Sequence, residues 1–143
     1  MGMYTEIYVN VDFDKNLPDK VIEVLKAMCH NPENFDLLYF MEEEELPIRW
    51  AMLFNDGSCY TPKTSVAKFG KDWASSTYSL LGKGDIKNYE EEIEKFFKYI
   101  APYVYGPEYE KTFVGYLRYE EYIEPTLVYV DMDREVKFVA GKE

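Results

Sequence analysis

The sequence predicts an α+β domain with a mainly antiparallel sheet of about five to seven strands and two helices packed on one face. Two segments space apolar residues by three and four, which is the period of a helix face, and several others alternate apolar and polar residues as half-buried strands do. Turn residues between strand candidates favour hairpins and therefore antiparallel pairing. The 143 residues contain no repeat or linker, so we expect a single compact domain over 1–143.

The N-terminal segment predicts one strand followed by one helix. Residues 3–13 alternate, with Ile7 and Val9 on one side and Tyr8 on the other. Pro18 fits the first turn of a helix that continues to about Cys29. The apolar run over 35–41 is too short for periodicity to distinguish a strand from a helical turn.

The middle of the chain predicts three further strands and a short return strand over 59–61, which Pro62 limits to an edge or ends. Residues 48–54 alternate through Trp50, and the sequence Asn-Asp-Gly-Ser at 55–58 is a strong hairpin-turn signal. Residues 66–69 and 73–81 are the next strand candidates, with a break expected at 70–72.

The clearest helix signal lies over 86–100. Asp85 or Asn88 is expected to cap its start, and Pro102 is expected to end it near Ile100. We expect one apolar stripe of this helix to be buried on the sheet; it consists of Ile86, Tyr89, Ile93, Phe96, Phe97 and Ile100.

The C-terminal part predicts a strand over 111–119 and a hairpin formed by 126–130 and 135–139. In the first of these strands, Phe113, Leu117 and Tyr119 are expected on the face that also carries Gly115.

Charge is the main functional observation. The chain has 27 acidic and 16 basic residues, a net charge of −11, and no basic patch. We therefore expect no direct binding to nucleic acid or to anionic membrane, whereas a basic protein partner is possible. The alternative is that the acidity only maintains solubility. No membrane-spanning run or signal peptide is visible, and two cysteines do not make a disulfide framework, so we expect a cytoplasmic protein.

Catalytic and metal-binding signals are weak. His30 is the only histidine, Cys29 and Cys59 have no zinc-type spacing, and the acids between Asp131 and Glu135 are better explained as a hairpin turn than as a calcium loop. We expect no metal and no cofactor, and an enzyme is the less favoured possibility. One weak candidate for anion binding is a glycine-containing turn before the predicted helix: Gly82, Lys83, Gly84 and Asp85.

Tyrosine interleaved with acid is the most distinctive pattern. Tyrosine gives a large rigid contact area with a polar tip, and surrounding carboxylates complement a basic partner. The alternative is a tyrosine-rich strand region with half of its rings in the core. The candidate protein-binding residues are Tyr105, Glu108, Tyr109, Glu110, Tyr119, Glu120, Glu121, Tyr122 and Glu124.

Three functions are consistent with these patterns. The first is a non-catalytic acidic protein-binding module, for example an inhibitor of a basic nucleic-acid-binding protein; small acidic inhibitors that mimic DNA have a similar composition. The second is a small-ligand-binding protein or enzyme with a cleft between helix and sheet, using Lys83, Asp85 or His30. The third is a homo-oligomer in which Trp50 and Trp73 are anchors.

Overall fold

In a computed structural model that describes residues 4–30, 36–54, 66–106 and 111–140, the chain forms an antiparallel sheet with three α-helices. The helices are α1 (Asp19–Cys29), α2 (Leu37–Glu43) and α3 (Glu92–Ile100), and there are two 3-10 helices, η1 (Ile48–Met52) and η2 (Ala101–Tyr103). The strands are β1 (Thr5–Asp12), β2 (Val66–Asp72), β3 (Thr77–Ile86), β4 (Lys111–Tyr119), β5 (Thr126–Asp131) and β6 (Val136–Val139). The predicted α+β class and antiparallel sheet are confirmed.

The six strands have the order β2-β3-β1-β4-β5-β6, so β1 lies in the centre between β3 and β4. The alternation predicted for β1 is confirmed, since Ile7 and Val9 are fully buried and Tyr8 is not. Buried helix residues such as Val24 and Phe97 belong to the same hydrophobic core. We call the other side of the sheet, which carries Tyr8 and its cross-strand neighbours, the open face.

Helix α3 begins at Glu92, six residues later than the sequence predicted. Ile86 instead ends β3, where it pairs with Thr5. One of the backbone N–H groups at the start of the helix is satisfied by Asn88, because its Oδ1 accepts the Ile93 N–H at 3.0 Å. The apolar stripe is confirmed from this point on, because Ile93, Phe96, Phe97 and Ile100 are all 0% exposed.

The prediction of a strand over 48–54 is wrong, because residues 48–52 form η1 and residues 53–54 follow it in a turn. Its buried residues include Trp50, Leu53 and Phe54, a spacing of three and four that overlaps with period two in so short a segment. The Trp50 indole N–H donates to the Glu92 backbone oxygen at 2.9 Å, which fixes η1 against the start of α3. The predicted turn at 55–58 and the return strand over 59–61, which includes Cys59, lie outside the described residues.

Two other local predictions need correction. The β2–β3 turn lies after Asp72, not at 70–72, because the Asp72 carboxylate accepts the Ala74 N–H and the Ser75 hydroxyl. In β4 a bulge between Phe113 and Gly115 shifts the register, so Phe113 lies on the open face and is 48% exposed.

The run over 35–41, which the sequence left undecided, contributes most of α2. Asp36 caps this helix by accepting the Tyr39 N–H at 3.0 Å. Among the described residues, no helix is long and apolar enough to cross a membrane.

Candidate functional site

The predicted glycine-containing turn is not a turn but part of β3. Its residues pair with β1, so their backbone groups belong to a sheet and not to an anion-binding loop. A Cβ at Gly84 would lie 2.1 Å from the Leu53 backbone oxygen, and one at Gly82 would lie 2.6 Å from the Phe54 ring. These glycines therefore allow the segment that follows η1 to approach the sheet, while Lys83 lies on the open face beside Tyr8.

The predicted protein-binding residues lie at opposite ends of the sheet. At one end, the Tyr105 N–H donates to the Asp12 oxygen at 2.8 Å; at the other, the Glu120 N–H donates to the Tyr4 oxygen at 3.1 Å. A nine-residue strand, β4, spans about 26 Å between these ends. Glu108, Tyr109 and Glu110 lie outside the described residues. The structure thus groups Tyr119, Glu120, Glu121, Tyr122 and Glu124, and it separates Tyr105 from them.

A cleft of about 420 Å³ lies beside this group, between the segment that leads into α3 and the neighbouring ends of β4, β5 and β6. We call it the turn cleft. The residues that line it are Thr5, Asn88, Glu94, Leu117, Tyr119, Tyr122, Thr126 and Phe138. A cleft between helix and sheet therefore exists, and two of the predicted tyrosines line it.

The aromatic wall of the turn cleft is formed by Tyr119, Tyr122 and Phe138. The rings of Tyr119 and Tyr122 meet edge to face, with centroids 5.4 Å apart and an interplanar angle of 75°. Desolvation, followed by the charges of Glu121 and Glu120, raises the pKa of Tyr119, so its phenol stays neutral. Tyr122 is 41% exposed and Phe138 is 36% exposed, so both present apolar surface to solvent.

The polar wall is formed by Asn88 and Glu94. The Asn88 side chain donates to Glu94 Oε1 at 2.7 Å while its own oxygen caps α3, so one amide positions both the helix and the carboxylate. Among the described residues, no basic side chain forms an ion pair with Glu94. The aromatic wall therefore shares the cleft with an anionic oxygen, which is an arrangement suited to a cation.

Acidic residues lie in the β4–β5 turn, which also carries the cleft residue Tyr122. Glu120, Glu121 and Glu124 are all exposed in the β4–β5 turn. Of the neighbouring cations, Arg49 pairs with the buried Glu92 at 3.4 Å, and Lys87 lies over the Tyr4 ring at 5.8 Å. The local field is therefore negative.

The groups considered for catalysis are not assembled in the turn cleft. His30 Nε2 is hydrogen-bonded to the Phe69 oxygen at 2.8 Å at the edge of β2, and Lys83 and Asp85 lie on the open face. Burial raises the pKa of the Cys29 thiol to about 12, which makes it a poor nucleophile. Within the described residues, no group of three or more His, Cys, Asp or Glu residues has the geometry to hold a metal ion.

Six of the eight cleft residues were not recognised from the sequence as site residues, and three of these six, Asn88, Glu94 and Phe138, belong to the two walls described above. Asn88 was considered only as a helix cap, and Glu94 belonged to a helix face expected to be solvated.

Comparison of the chain with protein-family models, with curated proteins and with solved structures finds no match.

Proposed function

We propose that this chain is a non-catalytic protein-binding module whose turn cleft receives a lysine or arginine side chain of a basic protein. One observation carries this assignment: the Glu94 carboxylate lies in the same cleft as the Tyr119 and Tyr122 rings. A cation over an aromatic ring is stabilised by about 0.5–2 kcal/mol, depending on how far it is desolvated. A hydrogen bond to the carboxylate adds to this because it is charge-assisted.

The surroundings of the cleft favour a protein over a free small molecule. Ile123 is 75% exposed in the β4–β5 turn, and Tyr89, in the segment that leads into α3, is 71% exposed. Apolar side chains outside the cleft, together with the exposed acids of the β4–β5 turn, offer contacts that only a larger partner reaches. Proteins that bind nucleic acid carry basic side chains in abundance, and a module that occupied those side chains would act as an inhibitor.

The direct test is the binding of a fluorescein-labelled oligo-lysine peptide, measured by fluorescence anisotropy at about 50 and 200 mM NaCl. We expect Glu94→Gln to weaken binding about tenfold, because the charge-assisted hydrogen bond is lost. Tyr122→Ala is expected to weaken it about fivefold through loss of the cation–π contact. Higher salt is expected to weaken binding to the native chain, and an oligo-glutamate peptide is expected not to bind.

A matched control separates the cleft from net charge alone. Glu120→Gln/Glu121→Gln and Glu42→Gln/Glu43→Gln both remove two exposed carboxylates, but the second pair lies on α2. We expect only the first pair to weaken binding severalfold. Equal losses for the two pairs, or an unchanged affinity for Glu94→Gln, would refute the cleft assignment.

The volume of the cleft also falls in the range of small-ligand sites, about 300–1,000 Å³. If free lysine amide bound as tightly as the peptide, the small-ligand alternative would replace the protein-binding proposal.

A further inference from the structure

The open face carries an apolar row across the sheet, where an antiparallel sheet exposed to water usually carries polar side chains. The strand register places Tyr8 opposite both Lys83 and Tyr116, and it continues the row to both edges of the sheet. Only one member of the row is charged; the row consists of Val66, Lys83, Tyr8, Tyr116, Leu127 and Val139.

The centre of this row is a preformed pair of stacked tyrosine rings. The Tyr8 and Tyr116 rings are stacked with centroids 5.3 Å apart and 20° between their planes. The Tyr116 hydroxyl donates to Glu6 Oε1 at 2.7 Å, and Asn10 donates to the Tyr8 hydroxyl at 3.2 Å. None of the apolar members of the row belongs to the hydrophobic core that the described residues form, so their exposed surface is available to another molecule.

The open face is close to electrically neutral in a chain that carries a net charge of −11. Its basic residues are Lys68, Lys83, Lys111, Arg118 and Lys137. Its acidic residues are Glu6, Asp12, Asp72, Asp85 and Asp131. Two copies of the chain repel each other least when these faces meet, because most of the negative charge then points away from the contact.

We infer that the open face is covered by a second copy of this chain, related to the first by a two-fold axis that runs between β1 and β4. This axis divides the sheet into three strands on each side. The axis places β1 of one copy over β4 of the other. Tyr8 of one copy therefore faces Tyr116 of the other, and Glu6 of one copy faces Arg118 of the other. Among the described residues Arg118 forms no ion pair, so its guanidinium can pair with the second copy's Glu6.

The size of the face is sufficient for a specific but weak dimer. Six strands spaced about 4.8 Å apart, with rows extending over about 20 Å, offer roughly 600 Å² per copy. The total of about 1,200 Å² lies at the lower end of specific protein interfaces. Two sheets that pack face to face at about −30° keep their central rows in contact, which is where the tyrosines lie.

Sedimentation equilibrium of the full chain, up to about 200 µM, tests this inference. We expect a reversible monomer–dimer equilibrium for the native chain. Arg118→Glu and Glu6→Arg are each expected to weaken dimerisation at least about tenfold, because like charges then meet across the axis. The combined swap, Glu6→Arg/Arg118→Glu, restores opposite charges and is expected to return the dissociation constant to within about threefold of the native value.

Lys95→Glu is the matched control, since it changes the net charge as Arg118→Glu does but lies exposed on α3. Circular dichroism of each variant verifies the fold. A native chain that stays monomeric at about 200 µM would overturn the inference, as would single reversals that leave the equilibrium unchanged or a combined swap that restores nothing. Because the turn cleft and the open face are different surfaces, a failure here leaves the peptide-binding test unaffected.

Discussion

The substitution Gly84→Ala tests how η1 packs on the sheet. The new Cβ would lie 2.1 Å from the Leu53 backbone oxygen, whereas ordinary contacts begin near 3.4 Å, so the two backbones must separate by about 1.3 Å. Leu53 and Phe54 are 0% and 2% exposed, so this movement disturbs well-packed core side chains. Such overpacking costs about 1–3 kcal/mol. We expect about 2–3 kcal/mol here, because the obstacle is backbone and not the end of a flexible side chain.

The measurement is urea unfolding followed by circular dichroism, with thermal melting as a second readout. A loss of 2–3 kcal/mol corresponds to a melting temperature lowered by roughly 4–12 °C for a chain of this size. Gly70→Ala is the matched control, since Gly70 is also in a strand but nothing lies within 4 Å of its added Cβ. We expect this control to be neutral or stabilising by up to about 1 kcal/mol. Equal stability of the two variants would refute the close approach at Gly84 and revive the interpretation of 82–85 as an exposed turn.

Three further predictions concern individual contacts. Trp50→Phe leaves the Glu92 oxygen without its indole donor in a buried position, so urea unfolding should show a loss of about 1–3 kcal/mol. Desolvation and the hydrogen bond to Glu6 raise the pKa of Tyr116 to about 12. The unfolded state therefore ionises first, and the stabilisation is complete below about pH 10 and lost as pH rises towards 12. Alkaline absorbance titration should show late-titrating tyrosine absorbance near pH 12 that Tyr116→Phe reduces. Glu91 has a φ of 57°, so Glu91→Gly should raise the unfolding free energy by about 1 kcal/mol, and an unchanged or lower melting temperature would contradict this.

The spacing of apolar residues in the sequence correctly predicted those helices and strands in which the same residues are the buried ones. In β1 and in the stripe from Ile93 to Ile100, the side chains that look apolar in sequence are those that the core buries. The prediction failed where a distant segment decides the local conformation. Gly82 and Gly84 resemble a turn, yet their lack of a side chain is required by Leu53 and Phe54, which belong to another element. Likewise, the bulge after Phe113 adds one residue to β4 and reverses the side on which that ring lies.

The candidate site was predicted only in part for a similar reason. Tyr119 and Tyr122 are neighbours in sequence, so their grouping was visible in it. Glu94 and Phe138 enter the same cleft from different elements, and their proximity depends on strand order, which a single sequence specifies poorly. The separation of Tyr105 from the β4–β5 turn has the same cause, because a strand places its two ends far apart however similar the flanking residues are.

The two tryptophans differ widely in their exposure to solvent. Trp73, in the β2–β3 turn, is 91% exposed, whereas Trp50 is 2% exposed and lies against the rings of Phe96 and Tyr99. The chain therefore carries two tryptophan fluorophores that an aqueous quencher distinguishes. Iodide should extinguish the red-shifted emission of Trp73 and leave the blue-shifted emission of Trp50, which then reports the integrity of the interior without an attached dye.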